Sequence, residues 1–392
     1  FRNLLKYRKE LNSINVAGAD RYLRTIRGLR TMYPKTVLIP GTESAPFYFW
    51  TGSPFTGKLT AHDHERRILT MGLEKPEDYE TLPVLHNGPS RFSLRESFQA
   101  LAAFFLCFLL GISLLFQRGG WRIAGATLSL FGAGFLVNTV LSTPSPFDPY
   151  HGRQGAAPYQ LFIDKVGRKG GLTFWNYPET RSGVRSLGPI DVKTLPYPEM
   201  LIETRNYTGF SALYGDNITI TEPGNVWDVV LREYCAGFRE RPAWGIATAD
   251  YHEEGASGQK LGDFQTVLLL KEKSTHAVLE ALKSGRMYAC QGDYPRIPHL
   301  DEFSVSEGDS PSATRAISGE ECVLSGNPRI RIRLSGGEVG KTGVLVRLIR
   351  SGSILQTFRG PLPLDIEYTD LPAGPGEKIY YRMDMTGYGT VV

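Results

Sequence analysis

Cysteine is scarce in this 392-residue chain. Cys107, Cys235, Cys290 and Cys322 lie far apart with no C-x-x-C spacing, so neither a zinc ribbon nor a disulfide framework is implied. Charge of one sign is scarce too: Lys and Arg total 44 against 40 Asp and Glu, a net +4 that is spread along the chain. No nucleic-acid-binding surface is expected from that balance. An initiating Met is also missing. The chain opens on Phe1, so the expectation is a fragment in which no signal peptide can be sought, long enough for two or three domains.

Two stretches have almost no charge at all. Phe98 to Phe116 is apolar except for Gln99 and Ser113, with Cys107 among its packing residues, and Trp121 to Leu141 carries only Arg122, at its edge. Each has the ~20 residues a helix needs to cross a bilayer. The tetrapeptide Gln117-Arg118-Gly119-Gly120 between them is long enough only for a hairpin tip. A buried helical pair in a soluble core is the alternative, but two such runs back to back favour insertion. A hairpin returns the chain to the side it left, so the flanking halves can fold as one domain. Arg118 and Arg122 at the tip point to a cytoplasmic tip and an extracytoplasmic soluble part, whereas Arg91, Arg95 and Arg153 at the other ends pull the opposite way.

Acid and imidazole groups cluster at the ends of short apolar runs. In Gly245-Ile246-Ala247-Thr248-Ala249-Asp250-Tyr251-His252-Glu253-Glu254-Gly255, a strand over Trp244 to Thr248 sets Asp250 and His252 past its C-terminal end, where α/β sheets present functional groups. Groups at i and i+2 of an extended segment share a face and can approach one cation, although a hydrogen-bonded loop pair reads the same way. Val37-Leu38-Ile39 repeats the pattern, a strand stopped by Pro40-Gly41 with Glu43 beyond. Ala61-His62-Asp63-His64-Glu65 adds two imidazoles before a strand over Ile68 to Gly72, or is simply a solvated polar turn.

Other elements follow from periodicity and breakers. A helix is predicted near 19 to 33, with Tyr22, Ile26, Leu29 and Tyr33 on one face, Asp20 capping it and Pro34 ending it. Its Arg21, Arg24, Arg27 and Arg30 are an anion-binding stripe or a solvated face. Residues 44 to 60 (Phe47, Tyr48, Phe49, Trp50, then Thr51-Gly52-Ser53-Pro54) form an aromatic loop that walls a pocket, packs on itself or meets lipid. Pro144 to Tyr159 is linker-like. Helices are predicted over Tyr159 to Val166, Trp227 to Ala236, and Ser274 to Lys283 with Gly285 past its end. Strands are predicted over Gly170 to Glu179, Met200 to Glu203 and Thr266 to Leu270. That alternation indicates an α/β barrel or sheet. Beyond Pro298, alternating runs at Arg329 to Leu334, Gly343 to Ile349, Ile354 to Phe358, Leu364 to Tyr368 and Lys378 to Met383 indicate a small β-sandwich, with a last strand expected to be missing.

With these residues in view, the chain resembles the PHP (polymerase and histidinol phosphatase) superfamily, in its carbaryl-hydrolase-like branch of metallohydrolases. The resemblance rests on Ile39 to Glu43 (P-G-x-E), Gly170 to Glu179 (G-G-φ-φ-φ-φ-x-H-P), Ile202-Glu203 with Asn206 (φ-E-φ-x-N), Ala249 to His252 (S-D-x-H) and Ala281 to Tyr288 (A-L-x-x-G-R-x-Y). It implies an α/β fold: a distorted (β/α)7 barrel, here interrupted by the transmembrane hairpin and followed by the all-β sandwich. The implied domains are 1–94, the hairpin 95–143, 144–297 and 298–392. It further implies divalent cations (Mn, Zn, Fe or Mg) on Glu43, Asp250 and His252, with His62 or His64 standing in for a further histidine. Glu203 and Asn206 become substrate-binding candidates. The implied chemistry is metal-assisted hydrolysis of a small molecule such as a phosphoester by activated water, on a protein held to lipid by the hairpin. Two departures qualify it. The family's opening H-x-H is absent, and its His-Pro is Tyr177-Pro178, which makes Tyr177 a candidate catalytic residue or the mark of a catalytically impaired binding protein.

Overall fold

The computed structural model describes residues 13–53, 59–85, 94–141, 147, 149–150, 152–188, 190–215, 218–253, 260–293, 296–308, 314–336, 343–387 and 389–392. Pro54, Arg91, Pro144 and Glu254-Gly255, which figure in the reading above, lie outside them. In chain order the first half contains α1 (Ile14–Ala17), α2 (Ala19–Met32), β1 (Gly41–Ser44), β2 (Phe49–Thr51), β3 (Leu59–His62), β4 (Arg67–Met71), α3 (Pro76–Glu80), α4 (Leu94–Leu115) and α5 (Trp121–Leu141). Next come α6 (Ala157–Arg168), β5 (Leu172–Asn176), β6 (Gly183–Leu187), β7 (Ile190–Thr194), α7 (Met200–Glu203), β8 (Gly209–Leu213), α8 (Val226–Cys235), β9 (Trp244–Ala247), β10 (Phe264–Leu268), α9 (Thr275–Ser284) and β11 (Met287–Gln291). The remainder is β12 (Pro298–Ser306), β13 (Arg315–Ile317), β14 (Arg329–Gly336), β15 (Gly343–Arg350), β16 (Ser353–Pro361), β17 (Leu364–Thr369), β18 (Tyr381–Thr386) and β19 (Thr390–Val391).

The protein is mixed α/β, and in place of the expected closed barrel it has an open five-stranded sheet in the order β1-β4-β5-β8-β9. β5, β8 and β9 run parallel, while β1, β4 and β5 are antiparallel neighbours. The strands that follow β9 explain the missing closure. β10 and β11 pair antiparallel with each other, and β11 pairs with β19, so both join the sandwich. Its larger sheet therefore recruits residues from before 298, in the order β10-β11-β19-β18-β15-β16.

Three local expectations shift. Pro40 does not stop a strand at Ile39. It has no N–H to give a ladder, and its carbonyl accepts from Gly72 N at 3.0 Å, so the strand begins at Gly41 and holds Glu43 within it. Met200–Glu203 is a helical turn. The α2 N-cap is Gly18, and Asp20 in the first turn instead pairs with Arg24 at 2.9 Å. The signals on α9 hold: Ser274 Oγ accepts from Ala277 N at 3.1 Å, and Gly285 takes the left-handed cap at φ +76°. Any Cβ there would come within 2.4 Å of the Trp244 ring.

Both faces of the open sheet are covered. Ile68, Trp175, Phe210 and Ala212 point into one core with α2, α6 and α8. Leu172, Phe174 and Ile246 point into a smaller one with Leu282 of α9 and Met287 of β11. The two long helices are packed on each other along a glycine seam, where a Cβ on Gly132 would come within 2.8 Å of the Phe108 backbone. Elsewhere their apolar surfaces are exposed: the Phe98–Leu115 span is 6% buried and the Trp121–Val140 span 11%. Each is long and apolar enough to cross a membrane, and so little burial separates them from a soluble core pair.

A buried ion-pair network fastens the five-stranded half to the sandwich. Asp228 of α8 is fully buried and receives Arg382 Nε and Nη2 of β18, both at 2.7 Å, Tyr380 Oη at 2.7 Å and Gly224 N at 2.7 Å. Arg382 also lies 5.0 Å over Trp227 and 3.8 Å from Asp384. Arg347 in turn grips Asp384 at 2.7 and 2.8 Å and reaches Glu222 of the other half at 2.7 Å. Burial alone raises the Asp228 carboxyl, but Arg382, Tyr380 and the Gly224 amide together hold it below its usual 3.8. Asp228→Ala leaves a buried guanidinium without its partner and is expected to cost about 3–5 kcal/mol. The double change Asp228→Ala, Arg382→Met is expected to cost less. Urea unfolding midpoints check both, and a single-variant loss under ~1 kcal/mol would remove the network from this role.

Candidate functional site

A polar row crosses the five-stranded sheet near the C-terminal ends of its parallel strands. Side chains alternate faces along a strand, and directly opposed residues share a face. Glu43 is opposed to Leu69, Arg67 to Asn176, and Ser211 to Ile246. All therefore lie on the face of Leu172, Phe174 and Ile246, and Thr248 joins them two residues after Ile246. The apolar part of that face is the smaller core; its polar end is the site.

The row is joined by hydrogen bonds from end to end. Thr248 Oγ1 donates to Ser211 Oγ at 3.0 Å, which donates to Asn176 Oδ1 at 2.7 Å. Asn176 Nδ2 donates to Glu43 Oε1 at 2.7 Å, and Arg67 Nη1 donates to Glu43 Oε2 at 3.0 Å. Arg67 lies 3.9 Å from Glu65, which also receives Arg185. Both Glu43 oxygens are thus engaged, one of them by a permanent cation.

Tyr177 and Asp250 sit past the ends of β5 and β9, each with a left-handed backbone, φ +48° and +51°. For a non-glycine residue that conformation costs of order 1 kcal/mol and concentrates at ligand-contacting positions. Burial pushes the Tyr177 hydroxyl up to about 12, and the charges of Asp250 and Glu43 add to it against opposing hydrogen bonds with Thr248 and Asn176. Its ring meets Tyr214 edge-on at 5.1 Å. Glu43 and Asp250 thus both lie near enough to Tyr177 for their charges to reach its hydroxyl.

Of the other candidates, His252 is beside Asp250 and His64 adjoins the Glu65 that faces Arg67, whereas His62, Glu203 and Asn206 lie elsewhere. His62 ends β3 in the sheet β2-β3-β7-β6, stacked 4.8 Å from Phe49, with Nε2 at 2.7 Å from Thr51 Oγ1. His64 lies beside Thr194, 3.4 Å from Nδ1, and Glu65, 3.7 Å from Nε2. His252 is largely exposed, with Nδ1 at 2.6 Å from the Asp250 carbonyl. Glu203 on α7 and Asn206 precede β8, at the opposite end of the parallel strands from the polar row. Arg67, Asn176, Ser211 and Thr248 escaped the sequence reading. The available signals were weak: an arginine opening an apolar strand, and an asparagine just before Tyr177-Pro178.

These residues do not fit the metal centre that the resemblance implies. Among the described residues no three His, Cys, Asp or Glu side chains come together to hold an ion. The acid best placed for it carries Arg67 and Asn176 instead. Comparison with protein-family models, with curated proteins and with solved structures finds no match to this chain.

Burial, with the charges of Arg185 and Arg67, pushes the His64 imidazole down from 6.5 to about 4. A depressed histidine favours the folded state fully above its unfolded value, and that contribution is lost as pH falls. The urea midpoint is therefore expected to drop between pH 6.5 and about 4. His64→Gln is expected to flatten that part of the profile; an unchanged profile would show that His64 titrates normally.

Proposed function

We propose that the protein is a membrane-anchored binding protein on a PHP-like scaffold, catalytically impaired as a metallohydrolase. In this reading its strand-end site receives a small polar ligand through Tyr177, Thr248 and Asp250. The observation that carries it is the Arg67 guanidinium on Glu43. A metal-assisted hydrolase needs that carboxylate to hold a divalent cation that acidifies water, and here a side chain supplies the positive charge. A guanidinium offers donors and no open coordination position.

On this reading the open sheet corresponds to part of the family's barrel, and the hairpin is its lipid anchor. The arginines at the hairpin tip favour an extracytoplasmic soluble part, and no nucleic-acid partner is invoked. A metal-dependent phosphoesterase is the competing reading, favoured by the meeting of Glu43, Tyr177 and Asp250 at the strand ends.

Elemental analysis of the chain purified in mild detergent and loaded with Mn or Zn separates the two, with p-nitrophenyl phosphate turnover measured alongside. The expected result is no stoichiometric metal and no turnover, both unchanged in the double variant Asp250→Ala, His252→Ala. Bound metal near one equivalent that disappears in the double variant would overturn the proposal and establish the hydrolase.

A further inference from the structure

Chain geometry fixes which face of the soluble part lies nearest the hairpin. α4 and α5 pack against each other, and only the tetrapeptide Gln117 to Gly120 joins them, so the start of α4 and the end of α5 lie side by side. Phe147 is the sixth residue after Leu141, and Leu85 is the ninth before Leu94. At ~3.5 Å per extended residue, Phe147 is at most roughly 20 Å from the end of α5, and Leu85 roughly 30 Å from the start of α4. Both residues pack against the larger core, which also contains Phe47. Both stems thus meet the larger core, and the returning stem meets it beside the aromatic loop.

The loop is tied to the returning stem. Trp50 N donates to Pro149 O at 2.8 Å, and the Phe47 and Phe147 rings meet edge-on at 6.2 Å. On the outside of these contacts, Tyr48 and Trp50 stack edge-on at 5.7 Å, both only partly buried, and Tyr150 is 76% exposed. Arg153, 56% exposed, lies just beyond. Tyr and Trp combine an apolar ring with one polar atom and collect where hydrocarbon meets headgroups. In water this ridge is a cost; against headgroups it is a contact.

We propose that Tyr48, Trp50 and Tyr150 form an interfacial ridge that seats the soluble part on the phospholipid headgroup layer beside the hairpin. This rests on the membrane reading of α4 and α5 and adds a second attachment to it. Two attachments fix an orientation where a hairpin alone leaves the soluble part free to swing.

Tryptophan quenching in liposomes containing lipid brominated just below the headgroups tests both steps on the full chain. Trp121 opens α5 and is 62% exposed, whereas Trp175 and Trp227 are buried. Trp50→Phe therefore leaves Trp121 to report on the hairpin, and Trp121→Phe leaves Trp50 to report on the ridge. The double variant gives the baseline from the remaining tryptophans. Both single variants are expected to be quenched above that baseline. Quenching of the Trp50→Phe protein with none in the Trp121→Phe protein would overturn the ridge while keeping the hairpin. No quenching in the Trp50→Phe protein would overturn the membrane reading and the ridge with it. The Trp121→Phe measurement keeps the native loop, so the test survives if Trp50→Phe fails to fold.

Discussion

The pairing of Asp228 with Arg382 is the constraint around which the two halves are arranged. A carboxylate with no exposure inside a protein is unfavourable unless its lone pairs are filled, and here the partners come from two directions. Gly224 belongs to its own half, whereas Arg382 and Tyr380 belong to the sandwich. Neither half satisfies Asp228 alone. The interface is therefore specific in a way that apolar packing is not: a sandwich shifted by one residue would bring Tyr381 or Met383 to Asp228 in place of Arg382, and with it no cation.

The strand-end site shows the same logic at smaller scale. Its polar row has no slack, because each hydroxyl, amide and carboxylate is oriented by its neighbour, from Thr248 through Ser211 and Asn176 to Glu43 and Arg67. Such a chain holds Asn176 rigid, and Asn176 immediately precedes Tyr177. The left-handed backbone of Tyr177 is thus held from one side by the row and from the other by Tyr214. A hydrogen-bonded floor with the half-buried Tyr177 and the exposed Asp250 at its rim suits recognition, where preorganisation lowers the cost of binding.

Much of the fold was legible because it depends on local pattern. The hairpin was legible from charge depletion, α9 from its Ser274 and Gly285 signals, and the sandwich strands from alternation such as Arg329-Ile330-Arg331-Ile332-Arg333. Sheet membership was not, because pairing is non-local: nothing in Phe264 to Gln291 announces that these strands pair with the chain's last strand rather than extend a barrel. Of the site, Glu43 and Asp250 were marked by their positions after apolar runs, and Tyr177 by the place it takes in the Gly170 to Glu179 segment of the resemblance. Arg67 was missed because its meaning depends on register. It matters only because it stands opposite Asn176, one position along the face from Glu43's partner Leu69. The histidines misled for a related reason: His62 is near Glu43 in sequence logic but is carried off by β3 into a separate sheet, and His64, in the turn before β4, faces Glu65 and Thr194 rather than Glu43.

The short β19 carries a consequence for the order of events in biosynthesis. Thr390 and Val391 insert between β11 and β18, pairing with Gln291 and Cys290 on one side and Met385 and Thr386 on the other. Until residue 391 leaves the ribosome, β10 and β11 have no partner in the sheet that finally holds them. Loop-closure entropy grows only slowly with length, so the finished protein loses little stability by this arrangement. The nascent chain, however, holds an unpaired two-stranded edge through the synthesis of about a hundred residues, a period in which chaperone capture competes with aggregation.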